Sequence, residues 1–321
     1  MLRRRIGGAD GPEVGALCLG AMTFGTALDE ATSFAVLDRF VEAGGNLIDT
    51  SDNYAFWLPG ATGDESETTV GRWMASRGAR DRVVISTKFG ARPTVPGGGL
   101  EAAEGLSAPV ARKAAQESLR RLGTDRIDLY WTHIEDRSVP LEETLGALDE
   151  LVTAGQVRVL GASNHPAWRM ERARALARRN GWTGYTCVQQ RYSYLQPRFD
   201  VALPEGGHVH VTPEMLDYVR SEPDLTLMAY STLLFGAYSR DDKPLSPAYD
   251  HPGTARRLAA VRAVAAELGA TPGQVVLAWL LGGDPAVLPI VGVSSVAQLE
   301  ELLGALELTL DPEQRDRLDR A

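Results

Sequence analysis

Short apolar runs alternate with amphipathic stretches along the whole chain. Brief apolar runs bounded by turn signals read as strands buried on both faces, and a 3.6-residue period reads as helices with one buried stripe. The strand runs are ALCLG (16–20), NLIDT (46–50), VVISTK (83–88), IDLYWTH (127–133), VRVLGAS (157–163), CVQQ (187–190), LTLMAYS (225–231) and AVLPIVG (286–292). Helical patterns lie between them: EATSFAVLDRFVEAG, ESETTVGRWMASR, VARKAAQESLRRLG, LEETLGALDELVTAG and TARRLAAVRAVAAELG. Several begin at a cap-forming residue and end in glycine, as at Gly44, Gly123, Gly155 and Gly269.

Eight strands, each followed by a helix, predict an α/β protein of the (β/α)8 or TIM barrel type. The segment LRRRIGGADGPEV, before the first strand, reads as a β-hairpin around Asp10-Gly11. Extra helical pattern at 271–282 and 311–320 exceeds what eight units need. No linker or compositional break divides the chain, so residues 1–321 are read as one domain. Segments 90–107 and 232–253 are rich in glycine and proline and long enough to be functional loops.

A hydrophobic content of 44% and a charged content of 23% belong to a soluble globular protein. The net charge of −9 argues against a nucleic-acid surface. MLRRRIGG is not followed by an apolar stretch, so no secretory signal is expected, and no segment approaches the roughly 20 apolar residues of a membrane span. A cytoplasmic protein is the expectation. Cys18 and Cys187 sit in apolar surroundings and read as small buried hydrophobes. Of the 33 basic residues only Lys88, Lys113 and Lys243 are lysines. In a chain so committed to arginine, a lysine ending an apolar strand draws attention.

Active sites of such barrels lie at the C-terminal ends of the strands. There the sequence has Asp49 with Tyr54 in the loop beyond, then Lys88, His133, Ser163-Asn164, Gln189-Gln190, Tyr230-Ser231 and Gly292. A free tyrosine has a pKa of about 10. A nearby ammonium favours phenolate, so Lys88 is expected to bring Tyr54 down toward useful general-acid strength. Lys88 needs a counter-charge when desolvated, and Asp49 is placed to supply it. His133 is a candidate to donate a hydrogen bond to a substrate carbonyl and orient it. The four together suit polarisation of a C=O group and protonation of its oxygen. None is an obvious nucleophile, and hydride from a nicotinamide fits. No GxGxxG loop follows a strand, which excludes a Rossmann dinucleotide site.

The stretches LGAMTFGT, NLIDTSDNY, VVISTKFG, RIDLYWTHIED, VRVLGASN, VQQRYSYL, AYSTLLFGAYSR and IVGVSSVAQLEEL resemble, in order and spacing, those of the aldo-keto reductase superfamily over nearly the whole chain. The resemblance implies reduction of small aldehydes or ketones by NADPH, with NADH as the alternative, and no metal. It puts the family's catalytic tetrad on Asp49, Tyr54, Lys88 and His133. It assigns Ser163, Asn164 and Gln189 to the nicotinamide carboxamide and Tyr230 to stacking on its ring. Ser231, Leu233 and Gly236 then follow the pyrophosphate, and Gly292, Ser294, Gln298 and Glu301 form the adenosine-phosphate motif. Asp49 and Met22 also fall on the cofactor side, Met22 where an aromatic often sits. The motif departs from the family at Ser294-Ser295, where a basic residue is common, and at Leu302, where asparagine is usual. Arg240 is the candidate replacement partner for a 2′-phosphate. Ala55-Phe56 follows Tyr54 where glycine is common, which bears on substrate shape.

Each residue has a plainer reading when taken singly. Asp49 reads as a turn or cap residue, Tyr54 as a loop aromatic, His133 as a core histidine and Lys88 as half of a structural ion pair. Four such residues at neighbouring strand ends, in family order, favour chemistry. His208-Val209-His210 reads as a solvated loop, since no further metal ligands cluster nearby. His165 reads as the start of a helix. Arg172, Arg174, Arg178 and Arg179 read as the solvated face of one. Phe24, Trp57, Trp131 and Trp168 are either a pocket lining or ordinary packing. The chain stops just after its last helical pattern, without the long C-terminal flap of some relatives, and a fairly open site is expected. A biosynthetic reductase of keto-sugars or other polar ketones is a narrower version of the leading function. A cofactor-sensing binding module like the potassium-channel β subunits is a separate class. No membrane or nucleic-acid partner is expected, and homo-oligomerisation is left open.

Overall fold

The computed structural model describes residues 2–95, 97–203, 206–240 and 242–321. Strands β1 (Arg3–Arg5) and β2 (Glu13–Gly15) pair antiparallel, with Arg3 opposite Gly15. Then β3 (Cys18–Gly20) leads to α1 (Glu30–Glu42), and β4 (Leu47–Asp49) to α2 (Glu65–Arg77). Next, β5 (Val84–Phe89) leads to α3 (Ala108–Leu122), and β6 (Ile127–Thr132) to α4 (Leu141–Thr153). β7 (Val157–Ser163) leads to α5 (Ala167–Asn180), and β8 (Cys187–Arg191) to α6 (Pro213–Ser221). Finally, β9 (Thr226–Tyr230) is followed by α7 (Pro252–Leu268) and α8 (Pro272–Leu281), and β10 (Leu288–Val291) by α9 (Val296–Leu303) and α10 (Pro312–Arg320).

The eight parallel strands β3 to β10 close into a barrel, β10 pairing with both β9 and β3. The expected (β/α)8 fold, its N-terminal hairpin and its extra helices are therefore all present. Helix ends follow local chemistry. The Asp29 carboxylate accepts from Thr32 N at the start of α1, and α3 and α7 stop at left-handed Gly123 and Gly269.

Strand side chains alternate between two cores, as period two requires. Outward residues such as Ile48, Ile85, Phe89, Leu160 and Val188 pack beneath the helices. Inward residues Leu47, Val84, Leu129, Trp131, Val159, Cys187, Met228 and Leu288 fill the barrel, together with Ile6 and Val14 of the hairpin segment. The hairpin thus covers the N-terminal mouth. Trp131 fits because Gly161, its neighbour on β7, has no side chain: a Cβ there would lie 2.3 Å from Trp131 Cε3. One step further along each strand, inward positions turn polar: Asp49, Ser86, Lys88, Ser163 and Gln189. The chemistry thus shares its phase with the core beneath it.

Two readings of surface segments are corrected. Arg174 does not lie on a solvated face; it is buried, pairs with Glu222 and Asp224, and donates to the Tyr185 carbonyl. The segment around His208-Val209-His210 is half-buried and adds a parallel bridge to β8, Arg191 opposite His210. Cys18 and Cys187 are buried free thiols. Among the described residues no single helix is long and apolar enough to cross a membrane.

Candidate active site

Inward alternation along β5 (Val84, Ser86, Lys88) carries the ammonium to the C-terminal mouth, fully enclosed. Asp49 ends β4 beside it, and the loop after β4 folds Tyr54 back over both. Lys88 Nζ donates to Asp49 Oδ2 at 2.5 Å, to the Thr50 carbonyl at 2.8 Å and to the Tyr54 hydroxyl at 2.6 Å. Tyr54 in turn donates to Asp49 Oδ2 at 3.1 Å. The other oxygen of Asp49 accepts from Ser86 at 2.7 Å and Gln189 at 3.3 Å, and Trp131 Nε1 holds Ser86 from below at 2.7 Å. Lys88 and Asp49 side chains are each only 1% exposed. A buried pair of this kind needs its full set of hydrogen bonds, and removing one member leaves an uncompensated charge.

His133 joins from the end of β6. Its ring stands edge-on to Tyr54 at 6.1 Å between centroids, and Nδ1 contacts Ser51 Oγ at 3.2 Å. Burial, then Lys88, then His208 hold its pKa well below the usual imidazole value, so the ring is neutral near pH 7. Burial also lowers Lys88, opposed by Asp49. Tyr54 differs from the sequence expectation. Burial first, and then the Asp49 charge, push its pKa well above that of a free phenol. Lys88 does not bring it down at rest because Asp49 neutralises the ammonium within the same cluster. The phenol is therefore held protonated.

The expected nicotinamide contacts converge on the same mouth. Ser163 lies opposite Gln189 in the sheet. Asn164 Nδ2 donates to the His133 carbonyl and to Ser163 Oγ, both at 3.0 Å. Its Oδ1 accepts from Tyr230 at 2.8 Å and from Val209 N at 3.0 Å. Arg191 lies 5.9 Å over the Tyr230 ring, and His208 meets that ring edge-on at 5.5 Å. The sequence reading missed this contribution of residues 208–209, which arrives through a non-local bridge to β8. Ser51 and Asn53 were missed as well, although they lie between Asp49 and Tyr54.

Backbone strain gathers here. Ala55, Asn164 and Ser231 are left-handed non-glycine residues at φ of 66°, 59° and 54°. Such conformations persist where surrounding structure over-determines them, and they cluster at functional sites. Leu234 and Phe235 repeat the feature just before Gly236.

The residues assigned to the far end of a dinucleotide form a separate exposed face. Gly292, Ser294, Gln298 and Glu301 are exposed, and a Cβ at Gly292 would meet open space. Gln298 Oε1 accepts from Ser294 N at 2.8 Å and Ser294 Oγ at 2.9 Å, which braces the turn into α9. Leu302 is buried in the outer core and turned away from this face. Arg240, in the loop after β9 with Leu233 and Gly236, is exposed and gripped by Asp242 at 2.9 and 2.6 Å. Met22 is exposed at the mouth after β3. Of the four aromatics, Phe24 and Trp131 are core residues, whereas Trp57 and Trp168 are exposed. His165 is buried against the Ser163 carbonyl at 2.7 Å.

Residues 16–321 match the Aldo/keto reductase family model. An oxidoreductase of Bacillus subtilis, YrpG, is 31% identical over 95% of this chain and 91% of its own. The norsolorinic acid reductase stcV of Emericella nidulans is 33% identical over 95% of this chain and 77% of its own. The NADP(+) aldo-keto reductase yakc of Schizosaccharomyces pombe is 33% identical over 96% and 87%. Among solved structures, the thermostable aldo-keto reductase Tm1743, in complex with the inhibitor epalrestat, superposes with a TM-score of 0.77 at 26% identity, covering 100% of this chain and 99% of that one. With a family model and relatives matched along most of their lengths, and with the eight-stranded barrel beneath them, the chain belongs to the aldo/keto reductase family and is an oxidoreductase.

Proposed function

We propose that the chain, acting as one domain, reduces an aldehyde or ketone with NADPH as hydride donor, Tyr54 serving as general acid. The observation that carries this reading is the hydroxyl of Tyr54 within 2.6 Å of a buried Lys88 that is itself held by Asp49. The residues suit a dinucleotide: an open space at Gly292, a braced Ser294–Gln298 turn and a strained loop at 234–236 line the approach. When bound, NADPH supplies the hydride.

The chain's own residues do the rest. Ser163, Asn164 and Gln189 hold the carboxamide, and Tyr230 supports the ring. Ser231, Leu233 and Gly236 follow the pyrophosphate, while Gly292, Ser294, Gln298 and Glu301 hold the adenosine end. Met22 would lie on the cofactor side of the mouth, and Arg240 would supply a partner for the 2′-phosphate if released from Asp242. His133 orients the carbonyl substrate. Tyr54 turns its proton from Asp49 to the substrate oxygen, and Lys88 stabilises the phenolate left behind. The reverse run oxidises an alcohol.

The test is consumption of NADPH with a reactive aromatic aldehyde, wild type beside Tyr54→Phe. Turnover that falls by about a hundredfold or more in a folded variant supports the acid assignment. Undiminished turnover removes it. NADPH binding with no turnover in either protein points to the cofactor-sensing module instead.

A further inference from the structure

The Asp49 carboxylate takes hydrogen bonds at both oxygens. Lys88 and Tyr54 donate to Oδ2, while Ser86 at 2.7 Å and Gln189 at 3.3 Å donate to Oδ1. Sheet register sets these partners: Asp49 lies opposite Ser86, and Lys88 opposite Trp131. Trp131 Nε1 meets Ser86 Oγ at 2.7 Å. An indole N–H only donates, so Ser86 accepts from Trp131 and spends its single proton on Asp49. The chain from Trp131 through Ser86 to Asp49 therefore runs in one direction. All three side chains are buried, and Trp131 is locked by its close fit against Gly161.

Gln189 has a second duty in the reductase reading, where it holds the carboxamide, and its bond to Asp49 is the longer one. Ser86 is the donor given to Asp49 alone. A donor aimed at Oδ1 stabilises the carboxylate and draws charge away from Oδ2, where the Tyr54 proton rests. Accepting from Trp131 polarises the Ser86 hydroxyl and strengthens its own donation. The other titratable groups facing the cluster are Cys18 of β3, His133 beyond β6, Tyr230 of β9 and Asp52 in the loop after β4. Burial keeps the thiol and the imidazole uncharged near pH 7, so Lys88 and the donors at Oδ1 are what offset the Asp49 charge.

We propose that Ser86 and Trp131 are positioning residues that loosen the hold of Asp49 on the Tyr54 proton, so that Tyr54 releases it to a substrate oxygen and takes it back in the reverse run. The inference rests on the carbonyl-reductase reading. The proton balance is unchanged: during reduction the phenolic proton goes to the carbonyl oxygen, and Ser86 and Trp131 keep theirs. Without the Ser86 hydroxyl the surroundings of Tyr54 become more negative. Phenolate, which the reverse run needs as its base, then forms only at higher pH.

Two measurements test this. Nitrogen-15 spectra of tryptophan-labelled protein, with Trp131→Phe to assign the signal, report the first bond directly. The Trp131 indole N–H is expected to resonate downfield and to move upfield in Ser86→Ala. Alongside, alcohol oxidation with NADP+ is followed across pH. The rise of kcat toward high pH is expected to move up by about one pH unit in Ser86→Ala, a loss of about tenfold on the limb below it, with KM for the alcohol unchanged. Trp131→Phe is expected to move it less in the same direction. The double variant should go no further than Ser86→Ala, because the indole acts only through the hydroxyl. An indole signal indifferent to Ser86→Ala overturns the hydrogen-bonded chain, whether or not any alcohol is oxidised. The expected spectrum with a superimposable pH profile, or with a rate lowered alike at every pH, overturns the positioning role and leaves Ser86 a structural residue. The expected spectrum with no turnover in any of these proteins supports the chain and counts against the reductase reading beneath the role.

Discussion

Asp49 holds the phenolic proton of Tyr54, accepting it at Oδ2 over 3.1 Å while Lys88 donates to that same carboxylate oxygen over 2.5 Å. The resting site therefore stores the proton on the side away from solvent. Lys88→Met leaves Asp49 buried without its ammonium and is expected to cost about 3–5 kcal/mol of stability along with the activity. The double variant Asp49→Leu with Lys88→Met is expected to recover most of that stability and none of the turnover. Urea midpoints for the two single variants and the double close the cycle. Additive losses would show that the pair does not act as a unit.

Stability in acid should report on His165. Burial lowers its pKa from 6.5 to about 4, against the opposing pull of the Ser163 carbonyl. Between those values the unfolded chain binds a proton that the native chain does not. Stability is thus full above the unfolded pKa and is lost as pH falls through the window, by about 3 kcal/mol at its lower edge. His133 acts in the same direction. His165→Gln keeps a donor and removes the titration, so its urea midpoint should fall less than that of the wild type from about pH 7.5 to about pH 4.5. Parallel pH profiles for the two proteins would contradict this account.

Ala55 occupies left-handed backbone, at φ of 66°, with its methyl buried beside Tyr54. Left-handed geometry costs an L-residue about 1–2 kcal/mol, and glycine gives back about 0.5–1 kcal/mol through its looser unfolded state. Ala55→Gly should therefore stabilise the protein by about 0.5–1 kcal/mol, visible as a higher melting temperature. A less stable variant would mean that packing of the methyl outweighs the strain.

The proposed 2′-phosphate contact is an exposed ion pair. Arg240 has its guanidinium spread across Asp242, so a 2′-phosphate must compete with a carboxylate already in place. Asp242→Asn is expected to lower KM for NADPH severalfold and leave KM for NADH unchanged. Arg240→Ala should raise KM for NADPH alone. Equal effects on both coenzymes would move the 2′-phosphate contact elsewhere.

The barrel was legible because parallel strands buried on both faces appear as plain apolar runs, and all eight were found in order. Asp49, Lys88 and Ser163 were legible for a related reason: each continues the inward phase of a strand whose earlier residues are core. Contacts set by distant segments were not. Nothing local announces that Val209 donates to Asn164, or that Arg174 turns inward to Glu222 and Asp224. The tuning of Tyr54 was also misjudged. The sequence reading had Asp49 hold Lys88 and Lys88 still bring Tyr54 down; in the fold, burial and the Asp49 charge outweigh the ammonium.

The scarcity of lysine has a mechanical side. Lys88 is enclosed in the barrel, Lys113 lies within α3, and Lys243 sits exposed in the long segment between β9 and α7. Pro244 follows Lys243 directly, and its ring hinders cleavage of the Lys–Pro bond, so the one lysine in an exposed loop is a poor cutting point. The three lysines therefore give a lysine-directed protease little purchase on the native barrel: one is enclosed, one is helical and one precedes proline.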